Sequence, residues 1–114
     1  MQIYNKLVRD KIDQIINGNG KGEKAIIKIL NEEEYKKELL KKLEEEMQEL
    51  KNAIITGSCD DILEESADLL EVVRAINGND ISKVLETMEI KKQKRGGFAE
   101  RKFLEKVIVV EQTK

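Results

Sequence analysis

Apolar residues recur at spacings of three and four along most of this chain, a period that predicts helices. Leu40, Leu43, Met47, Leu50 and Ile54 alternate in this way, predicting a long helix to about Ile55 with one seam for packing. Asn31 followed by Glu34 fits an N-cap with its reciprocal partner, and Gly57 supplies the stop. A second helix is expected from Ser58 or Asp60 to Ile76, ending at Asn77-Gly78. It is apolar nearly all round, so it should be central and largely buried. Asn79 or Asp80 should cap a third long helix, with Ile81, Val84, Leu85 and Met88 as its stripe and Gly96-Gly97 as its break. A shorter helix is predicted from Leu7 to Ile16, before the glycine-rich loop at 17–22.

Two segments do not carry the helical period. Ala25–Leu30 (AIIKIL) and Val107–Val110 (VIVV) are short, apolar and β-branched, and periodicity alone does not choose between strand and extended chain. They could pair as a minor two-stranded ribbon, 25–30 with 107–110. Phe98, Phe103 and Leu104 read as packing anchors. The expected fold is an all-α helical bundle forming a single domain over 1–114, with no internal repeat.

The acids change this picture most. Glu46 and Glu49 lie three apart on the long helix, and Glu65 and Asp68 three apart on the next. Residues at that spacing share a helix face. If the helices pack as antiparallel neighbours, four carboxylates converge, and they would repel unless a hard cation sits among them. The run Glu44-Glu45-Glu46 alone is what a solvated helix face carries. The second pair is different: Glu65 and Asp68 lie on the same side as Val72, where an unpaired carboxylate is costly to bury. Magnesium, which works with phosphates, is the expected ion.

Composition narrows the chemistry. With no His in the chain, His-based triads, His zinc sites and Glu-x-x-His di-iron bundles are excluded. Charge is segregated: residues 32–50 hold eight glutamates and four lysines, whereas 91–102 hold six basic residues and one acid. Lys91, Lys94 and Arg95 could grip phosphate oxygens, or simply complement a helix C-terminus. Arg9 and Lys11 could reach the same ligand or form a surface ion-pair set. Nucleic-acid binding is not expected, because the basic stretch lacks free aromatics and the net charge is -2. Cys59 is the sole cysteine, which fits a reducing interior and an inert thiol. No apolar run approaches the ~20 residues of a membrane span, and the start lacks a signal-peptide core, so no membrane and a cytoplasmic location are expected. The apolar surface exceeds what one small chain can cover, so self-association into a homodimer or higher homo-oligomer is expected.

In order, the chain reads Asn5-Lys6-Leu7-Val8-Arg9-Asp10-Lys11-Ile12, Glu45-Glu46-x-x-Glu49-Leu50, Glu64-Glu65-x-Ala67-Asp68-x-Leu70-Glu71-Val72 and Lys94-Arg95-Gly96-Gly97-Phe98. This order resembles the MazG-like all-α nucleoside-triphosphate pyrophosphohydrolases, and within them the phosphoribosyl-ATP pyrophosphohydrolase-like branch. The resemblance covers nearly the full length. It implies a helical, oligomeric enzyme that cleaves between the α- and β-phosphates of a nucleotide, yielding a monophosphate and pyrophosphate. It further implies Glu46, Glu49, Glu65 and Asp68 as Mg²⁺ ligands, with Mn²⁺ able to substitute. Glu45 would be an auxiliary carboxylate orienting the attacking water. Lys91, Lys94, Arg95, Arg9 and Lys11 would contact phosphates. Asp13 departs from the branch, which commonly has Pro there; this touches only the first helix start. Two other readings stay open: phosphoribosyl-ATP as the substrate, in histidine biosynthesis, and a non-catalytic helical dimer that binds nucleotide or a partner protein.

Overall fold

A computed structural model describes residues 1–111. All its regular elements are helices: α1 (Ile12–Asn17), α2 (Glu32–Thr56), α3 (Cys59–Ile76) and α4 (Ser82–Arg95). The chain divides into two compact units, Met1–Ile81 and a second beginning at Ser82.

Local chemistry sets most helix ends. Asn31 Oδ1 accepts from the Glu34 amide at 2.8 Å, and Glu34 Oε1 accepts from the Asn31 amide at 3.2 Å, completing a capping box on α2. Lys28 Nζ, 2.8 Å from Glu34 Oε2, holds that carboxyl below its ordinary range, with the Asn31 amide assisting. Gly57 closes α2 in the left-handed region (φ 77), where a side chain would be strained. Ser58 caps α3 through the Asp61 amide.

Two helix starts differ from expectation. Helix α4 begins at Ser82, and Asn79, one of its two predicted caps, does not open it. Asn79 instead serves the end of α3: it is left-handed (φ 65) and its amide donates to Arg74 O at 2.9 Å. Helix α1 begins at Ile12, five residues after the expected Leu7. Leu7 and Val8 stay outside it, half-buried, next to an Arg9 side chain hydrogen-bonded to Asp68 on α3.

The expected ribbon is absent. Among the described residues there is no strand; 25–30 and 107–110 have no ladder. Two short segments make at best a marginal ribbon without a third strand or a helix to pack on. Ile26, Ile29 and Val107–Val110 accordingly remain exposed.

In the first unit, α2 packs on α3 across the two-residue Gly57-Ser58 connection. The pairing is antiparallel: Thr56 lies near Asp61, Glu49 near Glu65, and Glu46 near Asp68, ascending one helix while descending the other. The face that α2 turns to α3 is not centred on the predicted seam. Its buried positions are Leu39, Glu46 and Ala53, with Leu43 and Leu50 half-buried between them. That arc is rotated about 60° from the Leu40–Ile54 seam, at 100° per residue. Leu40 and Ile54 are 57% and 58% exposed. Helix α2 is apolar over a wider arc than one neighbour covers, and the short turn dictates the part α3 takes. Nor is α3 largely buried: only Val72 is, while Leu63, Leu70 and Ile76 face outward.

Candidate metal centre

The rotated interface brings the acids inward. Glu46 sits in the middle of the packed arc of α2, and its residue surface is 7% exposed. Glu49 follows one turn later, at the open edge, and Glu65 reaches in from α3. One carboxylate oxygen from each of Glu46, Glu49 and Glu65 lies within 4.8 Å of the other two. Glu46 Oε2 and Glu65 Oε2 are buried and have no hydrogen-bond partner among the described residues. An unsatisfied buried acceptor costs about 1–3 kcal/mol. The local cation does not relieve this: Lys42 Nζ is 3.7 Å from Glu46 Oε1 and 3.5 Å from Glu45 Oε2.

Protonation reflects the crowding. Burial, and then the Glu49 charge, push the Glu46 carboxyl above its ordinary range; Lys42 opposes this, and Asp68 and Glu45 add to it. Glu65 is also raised, by burial first, then by a hydrogen bond with Glu49 that exists only when one of the two carboxyls carries a proton, and by the charges of Glu49, Asp68 and Glu46. Partial protonation is the metal-free way to hold three acids together. A divalent cation is the other, and this donor set suits one: hard oxygens, an open side at Glu49, and two orphaned acceptors in the same cluster. These residues could hold such an ion.

Asp68 stands apart from the triad. Its Oδ1 accepts from Arg9 Nη2 at 2.7 Å, joining the segment before α1 to α3 across 59 positions of sequence. Both side chains are substantially exposed, 59% for Arg9 and 42% for Asp68. Pairs of this kind contribute at most about 1 kcal/mol. Glu45, exposed on α2, lies outside the triad and is held by Lys42. Lys11 is the residue preceding α1 and is exposed. In the second unit, Lys91, Lys94 and Arg95 lie exposed on the C-terminal part of α4. The Gly96 amide caps that end on Lys92 O at 2.7 Å.

The tertiary structure adds residues that the sequence pattern does not single out. An open depression of about 260 Å³ borders the triad, lined by Glu49, Asn52, Ala53, Thr56, Asp61 and Glu65. The signal available in the chain is Asp61 four before Glu65, on the same face of α3. Lys42, four before Glu46, is readable in the same way.

Fold and site together define an all-α protein whose paired helices gather three carboxylates, two of which keep a buried oxygen without a partner among the described residues. None of its described helices is long and apolar enough to cross a membrane. No protein-family model, curated protein or solved structure matches the chain.

Proposed function

We propose that this protein is a Mg²⁺-dependent nucleotide pyrophosphohydrolase of the MazG-like kind, cleaving a nucleoside triphosphate to the monophosphate and pyrophosphate. The observation that carries the reading is the triad Glu46, Glu49 and Glu65, with two buried oxygens lacking any partner among the described residues. Structural acids on a solvated helix have no reason to leave such atoms unsatisfied. Further support comes from the ordered set of motifs, in particular the opening Asn5–Ile12 segment and Lys94–Phe98.

Held there, Mg²⁺ would supply Lewis-acid chemistry suited to phosphates and to activating water. Glu46, Glu49 and Glu65 would supply the oxygens that hold it, and Glu46, the most buried, would anchor the set. Glu45, kept beside Lys42, is the carboxylate available to orient the attacking water and accept its proton. Phosphate gripping by Lys91, Lys94, Arg95 and Lys11 rests on the motif resemblance alone. The task is house-cleaning or control of the nucleotide pool, in the cytoplasm.

We take the working form to be a homodimer or higher homo-oligomer. Leu40, Met47 and Ile54 on α2, with Leu63, Leu70 and Ile76 on α3, are more exposed apolar side chains than an isolated helical hairpin can leave wet.

Pyrophosphate release from a panel of standard, deoxy and modified nucleoside triphosphates, with and without Mg²⁺, tests the reading. Release that needs Mg²⁺ and disappears in Glu49→Gln is the expected result. A folded protein that binds nucleotide yet releases no pyrophosphate from any of them is the non-catalytic module instead. Release from phosphoribosyl-ATP alone would identify the biosynthetic step.

A further inference from the structure

The four acids of the two motifs are not equivalent. Three converge, and the fourth, Asp68, is engaged elsewhere although it lies one turn from Glu65 on the same helix. Asp68 is near enough for its charge to bear on both Glu46 and Glu65. Its Oδ1 accepts instead from Arg9 Nη2 at 2.7 Å. Arg9 belongs to a segment with no regular structure, tied to the start of α1 by the Ile12 amide, which donates to Arg9 O at 3.1 Å.

We infer that Arg9 is a counter-charge in exchange with the cation: without metal it occupies Asp68, and a divalent ion entering the triad draws Asp68 in as fourth ligand and releases the segment before α1. This rests on the cation reading above and extends it. The physical basis is a competition for one carboxylate. On one side stands a monovalent guanidinium in an exposed pair, which water and salt weaken. On the other stands a doubly charged ion already held by three carboxylates, with a ligand position open. Asp68 is half-exposed and its second oxygen is not engaged by Arg9, so close packing does not lock its side-chain torsions against a change of partner. Linkage then runs both ways: the ion loosens the segment, and the segment weakens the ion. The freed guanidinium, which matches phosphate geometry, becomes available to an anionic ligand arriving with the metal.

The experiment uses the full chain with a fluorophore on its N-terminal amine, and Mg²⁺ alone as the probe. Binding is measured by calorimetry and segment mobility by anisotropy. In the wild type, anisotropy should fall as Mg²⁺ saturates. In Arg9→Gln it should start low and stay there, while Mg²⁺ binds about 3- to 10-fold more tightly, the factor by which the competitor held it back. Asp68→Asn should also start low, yet bind Mg²⁺ about 10- to 100-fold more weakly through loss of a ligand. Arg9→Lys should restore part of the competition.

Mg²⁺ binding with unchanged anisotropy, or weaker binding in Arg9→Gln, overturns the exchange and leaves the triad intact. Unaltered Mg²⁺ affinity in Asp68→Asn does the same. Absence of Mg²⁺ binding in the wild type overturns both the exchange and the metal-centre reading beneath it.

Discussion

Helix α2 carries two neighbouring stripes, and the buried one is the one that holds a carboxylate. Leu39, Glu46 and Ala53 face α3 and are buried, with a carboxylate at the centre. Leu40, Met47 and Ile54, all apolar, stand one residue further round and are exposed. Optimising the lone chain for stability would favour burying the second stripe and wetting the acid. The inversion shows that the hairpin alone does not account for its own surface. Its inner stripe suits a positive charge beyond what Lys42 supplies, and its outer stripe suits a neighbour.

The most forceful way to break this contrast is at the inner stripe's chemistry. Glu49→Gln should lower pyrophosphate release at least about 100-fold, at unchanged helix content by circular dichroism. Activity surviving that change would mean the triad serves no ion.

Next in size is the outer stripe. If the proposed homo-oligomer forms through it, Leu40→Asp combined with Ile54→Asp should leave a monomer in sedimentation analysis, because central apolar contacts contribute about 2 kcal/mol or more each. An unchanged mass would place the interface elsewhere.

Replacing the misfit acid sharpens the comparison from the stability side. Glu46→Leu should stabilise the metal-free protein by about 1–2 kcal/mol in urea, and abolish any further gain from Mg²⁺. The pH dependence follows with a definite sign. The folded-state values of Glu46 and Glu65 are raised, so the native state holds protons that the unfolded chain has released. Stability of the metal-free protein should therefore fall as pH rises through the window just above the ordinary glutamate range. Saturating Mg²⁺ should flatten that slope, as should Glu46→Leu in part. A slope of the opposite sign in thermal melts would contradict the crowding of the triad.

The smallest effect is a control that touches neither stripe. Asn31→Ala removes the cap of α2 and should cost about 1 kcal/mol, or about 4–8 °C in melting temperature, without altering Mg²⁺ affinity.

Elements governed by neighbours in sequence are legible in the order of residues. The capping box of Asn31 and Glu34, the Gly57 stop and the Ser58 start all involve groups within four residues, so local sequence specifies them. The acid pairs are legible for the same reason, since three-residue spacing guarantees a shared face. Asn79 reads as a beginning yet completes the previous helix, because Asn suits both a cap and a left-handed exit. The ribbon fails because β-branched composition favours extended chain without providing the partner that a strand requires.

The sequence by itself thus determined that the chain is helical, where its two long neighbouring helices begin and end, and which acids share a face. Only the tertiary structure decided which arc of α2 meets α3, that three acids converge while Asp68 turns to Arg9, and that the Leu40, Met47 and Ile54 side of the apolar seam stays outside. Helix ends answer to hydrogen bonds a few residues long. The choice of face and of ion-pair partner depends on how a two-residue turn folds one helix back on another, and on groups as far apart as Arg9 and Asp68. No periodicity along the chain encodes that geometry.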